Sequence, residues 1–397
     1  MTAVLDFFVD LLERLGRFVG IGRRVAAEGS DAEPYEEGRV SGFGRVMRWL
    51  VPVLVVGLVV YVGVMFYRFD IWRGIDLAYP QAVMEASAAD ELPNERDAGE
   101  TVGGDAAQCT RSAVVDMQIH LIDLVVNRND WVPATPQYTI GLFGLVPWEA
   151  TPFFDNKAHF QTGILTVLRR FSLDLADTIG RVRGTSGADP DLQGAASRLR
   201  VNERAWVLNN PFDPQLQMVQ ASAAGSYRGA IPLYDRFNAR LADCDALFDA
   251  RADNLLRLMD RIAADLGDTN DRLQKRSRAE VWSHEALAFV PGEGNDRGWF
   301  DFRADNIVME ARGQLYALHG LLQAVRVDFA TAVQNAQLDQ IWDRLESHVA
   351  EGARFDPLIV SNGATDGLLA PDHLSAMGEK VLRARANMVE LRDVLQN

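Results

Sequence analysis

The chain has 397 residues, 48% of them hydrophobic and 24% charged, enough apolar material for a sizeable core. Its net charge is −15, and no basic stripe that would track a phosphate backbone is visible, which argues against a nucleic-acid partner. Two cysteines, Cys109 and Cys244, exclude a disulfide-rich scaffold.

Residues 4–19 have the pattern of an amphipathic helix, with Val4, Phe8, Leu11, Leu15 and Phe18 on one face and acids and arginines on the other. Such a face suits a membrane interface or a partner protein. Residues 26–43 are acidic and glycine-rich, as a linker would be. The segment "WLVPVLVVGLVVYVGVMFY" (49–67) then runs without a charge. As a helix it reaches roughly 28 Å, close to the roughly 30 Å of a hydrocarbon core. Trp49 and Tyr67 sit where aromatic belts lie, and Pro52 falls in the first turn. The segment lies too far from the start for a cleaved signal peptide, and the nearest small-x-small site, Ala86-Ser87-Ala88, is well downstream. It reads as an uncleaved transmembrane helix. Arg39, Arg45 and Arg48 precede it and Arg68 and Arg73 follow, which favours a cytoplasmic N-terminus with the large domain outside.

Residues 68–87 extend the helix outward, and 88–108 form an acidic linker nearly free of large apolar residues. The expected organisation is thus 1–48 cytoplasmic, 49–67 spanning, 68–108 juxtamembrane, and 109–397 a periplasmic folded domain. Helical periodicity marks 109–127, 158–181, 192–208, 231–285, 303–351 and 372–396. In 231–285 the apolar positions Tyr234, Phe237, Leu241, Cys244, Phe248, Leu255, Leu258 and Ile262 alternate spacings of three and four, broken at Arg251. "FVPGEGNDRGW" (289–299) ends that run, and sustained strand alternation is absent. The fold class is all-α: a bundle or layered array of six to eight helices behind one N-terminal transmembrane helix.

Between Asp130 and Glu149 lie eighteen uncharged residues, but Pro133, Pro136 and Pro147 rule out a second span. This loop carries the candidate docking aromatics Trp131, Tyr138, Phe143, Trp148, Phe153 and Phe154. Two arrangements are open: Trp131, Phe143 and Trp148 cap the helical body, or part of the loop is exposed and docks on a partner or the membrane surface. Arg181, Arg183, Asp189 and Asp191 in "RVRGTSGADPD" form either a ligand-binding set or a charge network that fixes the loop.

Catalytic signatures do not emerge. None of the six histidines belongs to a metal-binding repeat; His120 with Asp123 and His348 with Glu351 are isolated pairs. The glycines at 292, 294 and 298 follow a helix rather than a strand, so they make no nucleotide cradle, and no nucleophile elbow occurs. No metal and no cofactor is expected. In an oxidising compartment Cys109 and Cys244 have the option of pairing; alternatively Cys244, on the apolar seam, acts as a small hydrophobe.

The stretches "NDWVPATP" (129–136), "FFDNKAHFQTGIL" (153–165), "RVRGTSGADPDLQGA" (181–195), "MEARGQLYALHGLLQAVRVDF" (309–329), "IVSNG" (359–363) and "PDHL" (371–374) follow an N-terminal anchor. In that order they resemble a bacterial family of single-pass membrane proteins built on the domain of unknown function DUF2333. The resemblance implies a membrane-anchored, largely helical, periplasmic body and transfers no functional residues. The expected function is a non-enzymatic scaffold or accessory subunit of an inner-membrane or envelope complex, partnered by other membrane or periplasmic proteins and the lipid bilayer. The alternative is a periplasmic lipid- or cell-wall-binding domain, with hydrolysis as a further option.

Overall fold

A computed structural model describes residues 42–90, 109–151, 154–180, 187–206, 222–278, 280–283, 285–291, 301, 303–363, 367–368 and 370–396. The 4–19 helix, the linkers (apart from Gly42, Phe43 and 88–90), and Phe153, Arg181 and Arg183 lie outside these residues. The chain forms two compact units, one up to Val64 and one from Met65 onward.

Helix α1 (Gly42–Phe69) contains the apolar run. Its 20 residues Leu50–Phe69 have a mean hydropathy of 2.5, so this one helix is long and apolar enough to cross a membrane.

The second unit is helical: α2 (Tyr79–Asp90), α3 (Ala113–Asp123), α4 (Pro136–Ile140), α5 (Asn156–Asp174), α6 (Pro190–Leu199), α7 (Ala223–Arg228), α8 (Ile231–Ala242), α9 (Ala252–Ser277), α10 (Ala304–Asp328), α11 (Ala330–Asn335), α12 (Asp339–Ala353) and α13 (His373–Gln396). Single π turns extend α3 over Leu124–Arg128 and α5 over Leu175–Ile179.

Helices α5 and α10 pack side by side at the centre. They approach closely through Gly163 and Gly313. A Cβ on Gly163 would stand 2.0 Å from the Glu310 carbonyl oxygen, and one on Gly313 2.1 Å from that of Phe160. Pairings fix the directions of the rest. Thr269 with Gln314 and Arg276 with Asp301 set α9 antiparallel to α10. Ser277 with Ser375 and Arg392 with Asp260 set α13 antiparallel to α9. Arg326 with Asp339 and Arg312 with the Ala353 carbonyl set α12 antiparallel to α10. The N-termini of α5, α10 and α13 and the C-termini of α9 and α12 therefore share one end of the body.

At the opposite end the half-buried Asp328, last residue of α10, caps α3. It accepts from Ser112 Oγ (2.6 Å), Ala113 N (2.9 Å) and Val114 N (3.0 Å), donors at a helix start that has no intrahelical acceptors for its first N–H groups.

Four expectations are corrected. The third helix ends at Leu199 rather than 208, because Arg169 takes the Leu199 and Val201 carbonyls and turns the chain. The long 231–285 element is two helices and a hairpin: α8 stops at Ala242, α9 at Ser277, and β1 (Glu280–Ser283) pairs antiparallel with β2 (Ala288–Pro291). The β-branched and aromatic residues of "EVWS" and "AFVP" suit strands. Cys244 is not on the seam but in the α8–α9 turn at φ +58°, bonded to Cys109 across a Cα separation of 5.4 Å. Phe248 is only half-buried, edge-on to Phe329, whereas Tyr234, Phe237, Leu241, Leu255, Leu258 and Ile262 are core.

The folded body also reaches back before Cys109. Tyr79 in α2 is buried between His120 and Tyr316, donates to the Tyr316 carbonyl at 2.7 Å and accepts from Gly320 N at 3.0 Å.

Candidate functional site

The C-terminal end of α1 is built into the body. Phe69 is fully buried against Tyr138 (5.7 Å between ring centres) and Trp148 (6.4 Å), and Phe66 meets the edge of Phe154 at 6.0 Å. The last carbonyls of a helix lack intrahelical partners. Lys157, in the first turn of α5, donates through Nζ to the Arg68 (3.1 Å) and Ile71 (3.0 Å) carbonyls and lies over the Trp72 ring. Burial pushes this ammonium down to about 8, with the Arg73 and Arg68 charges acting in the same direction against Asp130. Asn129 accepts from Arg73 N and donates to the Arg73 carbonyl, both at 2.8 Å. Asn129 of "NDWVPATP" and Phe154 and Lys157 of "FFDNKAHF" thus hold the chain where α1 ends.

The proline-rich loop is fixed from beneath. Gln161, fully buried on α5, donates to the Val125 and Asp130 carbonyls and accepts from Val132 N. Trp131 Nε1 donates to the Glu203 carbonyl at 2.7 Å, and Trp148 Nε1 to that of Gln137 at 2.9 Å. Between them the chain turns tightly: Gly141 and Gly144 have φ of +72° and +74°, and Leu142 N reaches the Val146 carbonyl at 2.8 Å.

The six candidate aromatics therefore divide. Trp131, Tyr138 and Trp148 are buried, so they are not docking surface; they cap the body, because their polar ends find backbone acceptors or their rings enclose Phe69. Phe154 is half-buried between Phe66 and Trp148. Phe143, which the capping arrangement would place inside, is 62% exposed at the turn, and Leu145 beside it is 81% exposed. The flanks of the loop are core and its tip is surface.

Below the loop, Asp155 and Asp305 begin the parallel helices α5 and α10, both buried. Burial, and for Asp155 the Asp305 charge next, raises both carboxyls well above the ordinary range. Asp305 Oδ1 accepts from Asn306 N at 3.1 Å. Neither Asp155 oxygen has a hydrogen-bond partner, so burial favours its protonated form. No sequence motif marked them, although "DN" followed seven residues later by the helix-crossing glycine occurs in both helices (Asp155 to Gly163, Asp305 to Gly313).

Arg181 and Arg183 lie outside the described residues. Asp189 and Asp191 are not ligand-binding groups: Asp189 caps α6 through Asp191 N (2.9 Å) and takes Arg240 at 2.7 Å, while Asp191 takes Arg240 and Arg236. These arginines, some fifty residues away on α8, are partners that sequence spacing does not reveal.

"IVSNG" and "PDHL" form one knot. Ser361 N donates to His373 Nδ1, Ser361 Oγ donates to the Pro371 carbonyl, and Asn362 Nδ2 reaches both the Arg276 carbonyl and Asp301 Oδ2. Asp301 and Arg276 form a buried ion pair. Burial pushes Asp301 up, but the Arg276 and Asn362 hydrogen bonds outweigh it and leave the carboxyl below its usual range. Ser361 is fully buried and its hydroxyl proton is committed to a carbonyl, so the Ser361–His373 pair is a joint and not a nucleophile with its base.

Two clefts of about 510 and 490 Å³ flank α2 and share Ser87 and Arg111. Arg111 is taken up by Asp116 and Asp235. Among the described residues no group of three or more His, Cys, Asp or Glu is placed to hold a metal ion.

A family profile described as an uncharacterised protein conserved in bacteria (DUF2333) matches residues 146–397, more than half the chain. The chain belongs to that family. No curated protein and no solved structure matches it.

Proposed function

We propose that this bacterial protein is a non-enzymatic scaffold or accessory subunit of an inner-membrane or envelope complex, its helical body carried in the periplasm on one transmembrane helix. The observation that carries the reading is the grip on the chain at the end of α1, where Lys157 takes the Arg68 and Ile71 carbonyls, Asn129 pairs with the Arg73 backbone and Phe69 fills an aromatic pocket. Side chains spent on gripping the chain after α1 suit a part that holds an assembly together better than one that turns over a substrate. The stretches that carry the family resemblance point the same way. They supply a clamp, a glycine crossing, a helix cap and a loop knot. The Cys109–Cys244 disulfide supports the periplasmic side, since thiols stay reduced in the cytoplasm, and the arginine excess before α1 supports a cytoplasmic N-terminus.

Affinity purification of the full chain from detergent-solubilised membranes tests the reading. The expected result is a partner protein at fixed stoichiometry. Repeated recovery of the chain alone with bound lipid would contradict it and favour a lipid-binding role, for which the clefts beside α2 are the available space.

A further inference from the structure

Large apolar side chains normally appear on a soluble surface singly, and a concentration of them marks a binding face. Outside α1, the described residues include five large apolar side chains exposed by 67% or more: Leu145 (81%), Leu287 (75%), Phe289 (67%), Leu358 (92%) and Leu368 (97%). They come from three separate parts of the sequence. Leu145 is at the tip of the loop entering α5. Leu287 and Phe289 are in the hairpin that leaves α9, where Phe289 packs edge-on against the half-exposed Trp282. Leu358 and Leu368 are in the segment between α12 and α13.

The helix directions place all three at the same end. The α5 and α13 N-termini and the α9 and α12 C-termini lie together, and α1 ends there too, with Phe69 and the Arg68 and Ile71 carbonyls held by the first turn of α5 and the loop before it. Asp70, the residue after α1, is pushed up by burial and then by the Asp356 carboxylate, which brings the α12–α13 segment beside the helix end as well. The opposite end, with the Cys109–Cys244 bond and the Asp328 cap, carries none of the five.

We infer that this end of the body is a lipid-contacting base: the apolar tips Leu145, Leu287 with Phe289, and Leu358 with Leu368 dip into the interfacial layer of the same bilayer that α1 crosses. The inference rests on α1 being a transmembrane helix. A bilayer surface is the occupant that suits apolar tips at the same end of the body as Phe69, the buried last residue of the apolar helix. Aromatic residues such as Phe143, Trp282 and Phe289 are the types that settle at the headgroup boundary.

The test uses spin labels on the full chain in vesicles of phosphatidylethanolamine and phosphatidylglycerol. With both native cysteines in a disulfide, single labels are placed through Leu145→Cys, Leu287→Cys and Leu368→Cys. Leu58→Cys in α1 and Val394→Cys at the far end serve as references. The readout is collision with oxygen, which concentrates in lipid, against a nickel chelate, which stays in water. The tips should show a severalfold higher oxygen-to-chelate ratio than position 394. A ratio equal to that at 394 would overturn the base, as would protection from both reagents, the mark of burial against protein. If position 58 is itself open to the chelate, the transmembrane reading fails; if 58 is lipid-buried while the tips are in water, only the base fails.

Discussion

Asp155 and Asp305 show what burial does to a carboxyl that lacks a cation. Their native forms titrate above the ordinary 3.8, so the folded chain keeps protons that the unfolded chain has already released. The protonated pair favours the native state most at acidic pH, and that contribution declines as pH rises out of the ordinary carboxylate range through neutrality. Asp155→Asn removes the titration without removing the volume. In detergent, the melting temperature of the variant should exceed that of the native chain at pH 8, with the gap closing at pH 5. Parallel melting curves against pH would show that the pair is not strained in this way. Asp301 is the opposite case, a buried carboxylate that Arg276 and Asn362 hold ionised. Asp301→Ala leaves the Arg276 charge uncompensated and should cost about 3–5 kcal/mol, read by denaturant unfolding; a cost under about 1 kcal/mol would mean water reaches the pair.

At the scale of elements, the body depends on how closely α5 and α10 approach. A methyl group on Gly163 or Gly313 has nowhere to go, because the obstacle in each case is backbone. Gly163→Ala should destabilise by about 1–3 kcal/mol or more through overpacking, and a thermal-shift measurement showing no loss would mean that the helices can separate at little cost. For α1, Leu58→Arg at its centre should impair insertion by about 2.5–3.5 kcal/mol, seen as protein released by carbonate washing. Most helices were legible because a core-facing stripe repeats at a period close to 3.6, as in Ile164, Leu168, Phe171 and Leu175, all buried. What was not legible depended on partners far along the chain. The α8–α9 break follows from a turn pinned by a cysteine 135 residues away. The dyad forms only because two helix starts meet. The loop at 131–148 offered aromatics without saying which of them Phe69 would cover. The single stripe through 231–285 hid the hairpin because short apolar runs fit a strand as well as a helix.

The described residues combine one membrane-length helix, a grip on the chain where that helix ends, and a body stapled by Cys109–Cys244. The proposed scaffold requires the body to lie on the oxidising side of the membrane, where the disulfide would persist. The measurement that bears most directly on it is the redox state of the two cysteines in intact cells. Cells are quenched in acid, denatured, and treated with a maleimide-linked polyethylene glycol with or without prior reduction. The account predicts no mass shift without reductant and a shift of two adducts after it. Two reactive thiols without reductant would place the body in a reducing compartment and contradict the account.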